Sequence, residues 1–561
     1  MNIRRTAFLL LLAATAGFAA SAKVSKDLSS IGAAQKVDVI VRFNHPVAAS
    51  DHARISAGGG NLKRALGLIN AAVYTLPGVL LNILGNDNGV LYVVPDRPLK
   101  GSLDYANPAV NANIARQYGW TGSGVTVAVI DSGITDTHPD LRDATGASRV
   151  VYAESFSPTE PNDPLDHYGH GTHVAGILGG DASQSTGSQF TRSFWGIAPN
   201  VKFVNLKVLD KTGAGTDSAV IAAIQQAIAL KSKYNIRIIN LSLGRPVMES
   251  YTTDPLCQAV EQAWQAGIVV VVAAGNEGRN NTKGTYGYGT IASPANDPYV
   301  ITVGAMKDMK TMSRGDDQMA SYSSKGPTLY DQIVKPDIVA PGNKIISSLP
   351  AGLALTVSYP QMDVLNSYYI SGGTQQASPY YFELSGTSMA TPVTAGAAAL
   401  LLQQQPGLTP DQVKAKLMKT ATKNFPNTSV STDIATGAAY SVTYDVFTVG
   451  AGYLDVWAAL NNTDTLAATK TAASPAVIYD SSLRKVRFVN GTNIVWGDAG
   501  MALNIVWGDH VLLANNIVWG DNIVWGDSTV AGFNIVWGDN IVWGDSTPAG
   551  EAMRTAVNGE K

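Results

Sequence analysis

The run VTVAVI at residues 125–130 is apolar at five of its six positions, which leaves no wet face for a strand exposed on one side. Three further runs share this character over much of their length: VKFVNLKVL at 201–209, IRIINLSL at 236–243 and GIVVVVAA at 267–274. Strands apolar on both faces belong inside a parallel sheet that is covered from both sides. The intervening segments supply the cover. DSAVIAAIQQAIALKS at 217–232 places apolar residues at helical spacing, and DPLCQAVEQAWQA at 254–266 opens with Asp254 as N-cap and Pro255 at the first helical position. This alternation predicts an α/β fold: a doubly wound, mainly parallel sheet with helices on both faces. In such sheets functional groups collect beyond the carboxyl ends of the strands, so the search for a site begins there.

The whole chain has 561 residues, with 40 basic and 43 acidic side chains and no basic block, which argues against nucleic acid as a partner. Its first residues, MNIRRTAFLLLLAATAGFAASA, carry Arg4 and Arg5, an apolar run and then Ala20-Ser21-Ala22. That is the layout of a secretory signal peptide over 1–22, and its apolar run is shorter than the roughly 20 residues a membrane span needs. The expected location is therefore secreted, extracellular or associated with the cell envelope. Cys257 is the sole cysteine, so no internal disulfide can form, and stability outside the cytoplasm must come from the core or from bound ions.

Three polar residues stand where the strand-end rule points. Asp131 directly follows VTVAVI, where a carboxylate can orient a histidine, although turns and caps are the ordinary uses of such an aspartate. His170, in YGHGTHVAGILGG, stands at a helix start between glycines. His173 three residues on suggests a metal pair, but the sequence offers no third ligand close by. Ser388 opens SMATPVTAGAAALLLQQQ, a helix in which Pro392 lies near the first turn and which stops at Pro406-Gly407. A serine at a helix start is ordinarily a cap. Together, however, Asp, His and Ser in that chain order, each in a glycine-rich setting, form a candidate orienting carboxylate, base and nucleophile.

The segments VIDSGI, HGTHVAG, AAGNEG and SGTSMATP resemble the signatures of the subtilisin-like serine proteases, the subtilases of peptidase family S8, and the resemblance spans roughly residues 115–462. It implies a subtilisin-like fold and a serine endopeptidase that needs no cofactor for its chemistry. Ser388 would attack the peptide carbonyl, His170 would take its proton and pass it to the leaving amine, and Asp131 would hold the imidazole. Asn276 in AAGNEG matches the family's oxyanion-hole asparagine, joined by the backbone N–H of Ser388. Protein or peptide substrates would pair with Gly213, Ala214 and Gly215 on one side and Ser242, Leu243 and Gly244 on the other. Ala273, Ala274, Gly275 and Ala292 would wall an uncharged pocket for apolar P1 side chains. Asp140 in HPDL matches a family position for structural calcium, although the loop at 179–200 does not keep the usual ligand spacing. An insertion at 351–382 could rim the cleft with its tyrosines or pack on the sheet edge.

Ahead of this region, a strand at 37–43, a helix then strand within 60–77, a helix at 78–86 and a strand from 89 are expected. By resemblance they form an inhibitor-type propeptide, a small ferredoxin-like α+β domain over 23–105 that assists folding and inhibits the active site intramolecularly. Cleavage near residues 100–108 would release a catalytic domain at 106–462, so the protein would be made as an autoprocessed zymogen and act as a monomer. The extension at 463–561 repeats NIVWGD six times, starting at 493, 504, 516, 522, 534 and 540. Ile-Val-Trp favours extended backbone and Gly-Asp a turn, which suits either a small stacked solenoid or a flexible, processed extension. Six of the ten tryptophans lie in these repeats, which suits contact with polysaccharide or the cell envelope. Two other classes fit less well: a sedolisin-type acid peptidase would carry glutamate in place of His170, and a non-catalytic adhesion protein would be expected to lose one of Asp131, His170 and Ser388.

Overall fold

All four apolar runs become strands of one eight-stranded sheet in the computed structural model. From one edge the order is Gln318–Met319, Ile301–Lys307, Val269–Ala273, Ile236–Leu241, Thr126–Asp131, Lys202–Lys207 and Val150–Ser155, with Ile338–Pro341 also paired to Ile301–Lys307. Every pair is parallel except that of the short edge strand Gln318–Met319. The chain builds outward from Thr126–Asp131 in one direction and then crosses to Ile236–Leu241 to build in the other. The switch point therefore lies between these two strands, and Asp131 ends the first of them.

The helices Asp217–Tyr234 and Pro255–Gln265 form as expected, the second with Asp254 accepting from the backbone N–H of Leu256 at 2.9 Å. The helix Thr387–Gln404 is buried on every side from Met389 to Leu402. It packs on three central strands and on the helix His170–Gly179, which is why its sequence is apolar all round rather than along one stripe.

The chain divides into two units, residues 1–99 and 100–561. Described residues are 23–25, 28, 31–95, 101–102, 105–282, 284–434, 436–480, 485–488 and 557–560. The expected signal peptide and all six NIVWGD copies lie outside them. Among the described residues no helix is long and apolar enough to cross a membrane.

The first unit corrects one expectation. Its order is strand, helix, strand, strand, helix, strand: Lys36–Phe43, Ala49–Ala57, Asn61–Leu66, Ala71–Pro77, Val79–Gly85 and Val90–Pro95. Residues 60–77 form a hairpin rather than a helix and a strand, and the helix lies earlier, at Ala49–Ala57. Asn61–Leu66 is an edge strand with five of its six residues exposed, so it lacks the alternation that marks a half-buried strand. The strands pair in an antiparallel sheet around a core of Val39, Val41, Tyr74, Leu76, Leu81 and Val93.

The insertion builds a separate small sheet. Asp363–Leu365 and Ala377–Leu384 join Ile345–Ser348 in an antiparallel sheet. Tyr369 and Tyr381 are buried with Phe194, and Phe190 stacks on Tyr369 at 5.8 Å. The start of the insertion also braces the approach to His170, because Ala354 and Leu355 donate backbone hydrogen bonds to the carbonyls of His167 and Tyr168.

Candidate active site

Asp131 ends its strand fully buried, and its Oδ1 accepts hydrogen bonds from the backbone N–H of Ser132 at 2.7 Å and from His170 Nδ1 at 2.7 Å. His170 is the first residue of its helix and keeps 17% of its side chain exposed, so the ring is held on one edge and open on the other. Burial alone would push the imidazole pKa down, but the charge and hydrogen bond of Asp131, with Asp166 behind, raise it above its ordinary value.

Asp166 is a positioning group that the sequence reading missed. Its carboxylate accepts from Ser132 Oγ, from the backbone N–H groups of Tyr168, Gly169 and Thr172, and from Thr172 Oγ1. Ser132 Oγ in turn accepts from the N–H of Gly171 at 2.9 Å. The strand end that carries Asp131 is thereby tied to the helix start that carries His170.

Ser388 sits in the first turn of the buried helix. Pro392, four residues on, has no N–H to give to the Ser388 carbonyl. Ser242 Oγ donates to that carbonyl instead, at 2.9 Å, and Ser388 Oγ donates to the carbonyl of Ser242 at 3.1 Å. The neighbouring hydroxyls have structural partners: Ser385 Oγ accepts from the N–H of Lys344, and Thr391 Oγ1 donates to the carbonyl of Thr387. Thr387 gives both its N–H and its Oγ1 hydroxyl to Asn276 Oδ1, at 2.9 and 3.1 Å. The acceptor end of the amide is thus fixed, and its donor Nδ2 lies over Gly386, 3.3 Å from where a Cβ would stand. With φ of +146° and an amide at that distance, a side chain at Gly386 would be strained and would press on Asn276.

The model of the "Subtilase family" matches residues 122–437, more than half of the chain, and so covers the Asp131, His170, Asn276 and Ser388 segments. The chain belongs to the subtilase family. Serine protease AprX of Bacillus subtilis (strain 168) is 40% identical over 361 residues, covering 62% of this chain and 73% of that protein. Subtilisin E of the same organism is 37% identical over 390 residues, 68% of this chain and 84% of its own. A solved cold adapted subtilisin-like serine proteinase is 32% identical, with a TM-score of 0.38, and covers 54% of this chain and 84% of that one. As a subtilase the protein is a serine endopeptidase that acts on protein substrates.

The subtilase's expected substrate segments lie at strand carboxyl ends. Ser242, Leu243 and Gly244 follow Ile236–Leu241, while Ala273 ends the next strand and leads into Ala274 and Gly275. Gly213 and Ala214 close a turn on Asp210, with Gly213 at φ +79° beside the ring of Tyr168, and Gly215 passes close to Val208 and Leu209. The methyl of Ala292 lies 3.1 Å from a Cβ built at Gly244 and 3.3 Å from one built at Gly275, so it stands between the two segments.

Asp140, a possible calcium ligand by resemblance, has its carboxylate taken up in this subtilase by donors of the chain. Its carboxylate accepts from Ser183 Oγ, the N–H of Gln184, Tyr381 Oη and Ser348 Oγ. An amide N–H cannot be a metal ligand, and among the described residues no three acidic, histidine or cysteine side chains gather to hold one. The nearby carbonyls of Asp140, Gly179 and Val201 all accept from the buried guanidinium of Arg149, a permanent cation supplied by the chain. Burial lowers the Arg149 pKa to about 10, which leaves it charged at neutral pH. His173 has no cluster of metal-ligating side chains around it among the described residues: its Nε2 lies 3.0 Å from the Phe382 carbonyl, and burial lowers its pKa to about 3.

Proposed function

We propose that Asp131, His170 and Ser388 are the catalytic triad of a secreted, autoprocessed endopeptidase. The reading is carried by the 2.7 Å pairing of a half-open imidazole with a buried strand-end carboxylate, on a helix packed against the one that carries Ser388. Turning about its χ1, Ser388 Oγ leaves the Ser242 carbonyl and gives its proton to His170 as it attacks the scissile carbonyl carbon. The new C–O bond converts that carbonyl into a tetrahedral oxyanion, which accepts from Asn276 Nδ2 and the backbone N–H of Ser388. His170 then protonates the leaving amine, the C–N bond breaks, and water hydrolyses the acyl-serine by the same steps in reverse roles. Asp131 stabilises the imidazolium throughout.

Substrate lies extended between residues 213–215 and 242–244, with an apolar P1 side chain directed toward Ala273, Ala274, Gly275 and Ala292. Residues 1–22 direct export, and 23–105 act as an intramolecular inhibitor that is removed by cleavage near 100–108 to free the domain at 106–462. The extension at 463–561 contacts the cell envelope or polysaccharide through its repeats.

The test uses wild-type protein and Ser388→Ala, compared by mass spectrometry, casein hydrolysis and fluorophosphonate labelling. Wild type should lose about the first hundred residues, take one label and cleave casein, whereas the variant should do none of these. Labelling of Ser388→Ala would remove Ser388 as nucleophile.

A further inference from the structure

The far end of the chain returns to the second unit, beyond the region matched by the family model. Val557 is buried, and Glu560 is only 2% exposed. The Glu560 carboxylate accepts from the backbone N–H of Ser321 through both oxygens, at 3.1 and 3.0 Å, from Ser321 Oγ, and from the Arg279 guanidinium. Lys307 Nζ stands 3.7 Å away. The Glu560 backbone is gripped as well: its N–H donates to Asn343 Oδ1 at 2.9 Å, and its carbonyl accepts from Asn343 Nδ2 at 3.2 Å. Arg279 is itself 4% exposed and shares its charge with Asp433 at 2.6 Å.

This socket is built from the segments that position the oxyanion groups. Arg279 follows Asn276 by three residues, and the intervening Gly278 donates its N–H to the carbonyl of Tyr322, the neighbour of Ser321. Tyr322 Oη and the N–H of Gly386 both donate to the carbonyl of Gly342, next to Asn343. Gly559 passes so close to Ser385 that a Cβ there would lie 2.6 Å from its Oγ. The loop at 276–279 and the turn at 385–388 are therefore both fastened to parts that Glu560 holds.

We propose that residues 557–560 are a clasp on the catalytic unit and that Glu560 is a positioning residue for the oxyanion hole. The proposal rests on the assignment of Asn276 and Ser388 above. The NIVWGD repeats then lie between two anchored segments, since Ala476 and Val477 are bound to Ile333 and Gln332 before them. They would stay attached to the active enzyme by both ends.

The experiment compares the full chain, a form ending at Ala556, and full-length Glu560→Gln and Glu560→Asp, each on a peptide p-nitroanilide with rates divided by fluorophosphonate-titrated serine. In the shortened form kcat should fall about tenfold or more while KM moves less than about threefold, as expected when catalytic donors are misplaced but the cleft is intact. Adding the peptide of residues 556–561 should restore kcat, and the same peptide with glutamine for glutamate should not. Glu560→Gln should show the same split in the full chain, which keeps the test valid should the shortened form not fold. Unchanged kcat per labelled serine in Glu560→Gln, or a peptide that restores Tm without kcat, would overturn the proposal. Loss of labelling in wild type would instead bring down the active-site assignment on which it rests.

Discussion

Ser242 and Ser388 hold each other by two reciprocal hydrogen bonds: the hydroxyl of Ser242 donates to the carbonyl of Ser388 at 2.9 Å, and the hydroxyl of Ser388 donates to the carbonyl of Ser242 at 3.1 Å. The first bond exists because Pro392 cannot make the helical one, so a proline inside a buried helix is reconciled by a side chain from the neighbouring strand end. Ser242→Ala removes the donor and leaves a buried carbonyl unsatisfied. It should cost about 1–3 kcal/mol of stability. It should also lower kcat more than it raises KM, because the first turn that carries Ser388 loses the bond that fixes its carbonyl. Thermal unfolding together with steady-state kinetics checks both; an unaltered Tm would show that the carbonyl finds another partner.

The raised pKa of His170 acts on activity and stability in opposite directions. Only the neutral imidazole can accept the Ser388 proton, so kcat/KM should rise with pH through a value above the ordinary histidine range of about 6.5. The stabilisation from the charged pair is complete below that ordinary value and is lost as pH rises through the folded-state pKa. Asp131→Asn removes the charge that outweighs burial. Its kinetic pKa should shift downward, and turnover should fall by about four orders of magnitude. A pH–rate profile of the variant with an unchanged midpoint would separate Asp131 from the titration.

What the sequence made legible follows from how local each signal is. Thr126–Asp131 and Val269–Ala273 are apolar on both faces, so their strand character and burial were readable at once. Asn61–Leu66 was misread because Leu62, Ala65 and Leu66 have helical spacing on an exposed edge strand. The helix Ala49–Ala57 was missed because its N-cap is an alanine, and Asp51 instead reaches back to the N–H of Ala48 at 2.9 Å. Asp131, His170, Asn276 and Ser388 each lie in a short contiguous motif, and the four motifs in chain order were legible together although each residue alone was not. Asp166, Thr387, Arg149, Tyr381 and Glu560 each bind partners far away in sequence, Ser132, Asn276, Val201, Asp140 and Arg279, in the last case from 281 residues away.

Thr387 should matter to catalysis without touching substrate. It holds Asn276 Oδ1 with a backbone and a side-chain donor, and Thr387→Val keeps the first and loses the second. Asn276→Ala should lower kcat by about 100- to 1,000-fold with KM little changed, the usual cost of one oxyanion donor. Thr387→Val should lower kcat by a smaller factor and, combined with Asn276→Ala, add almost nothing. A fully additive double variant would place Thr387 outside the oxyanion hole.

Chelation should leave the second unit's stability intact around Asp140. The carbonyls of Asp140, Gly179 and Val201 are already served by Arg149, and the carboxylate by Tyr381, Ser183, Ser348 and Gln184. EDTA should therefore not shift Tm, whereas Tyr381→Phe should lower stability by about 1–3 kcal/mol through the loss of a buried donor. Calorimetry with and without calcium decides. A chelator-induced loss of Tm that Asp140→Asn abolishes would show that a metal uses this carboxylate.

Ala292 should set the depth of the P1 pocket. Its methyl lies 3.1 and 3.3 Å from where Cβ atoms would stand on Gly244 and Gly275, so it fills the space beside both substrate-binding segments. Removing the methyl with Ala292→Gly should lengthen the pocket and favour phenylalanine or leucine over alanine at P1. A methylene difference in such a pocket is worth about 1–3 kcal/mol, or roughly 10- to 200-fold in kcat/KM between substrates. Ala292→Val should act in the reverse sense, restricting P1 to the smallest residues. The profile is read from kcat/KM on a series of peptides that differ only at P1. If both variants keep the wild-type order of preference, the P1 side chain is accommodated elsewhere than between residues 244 and 275.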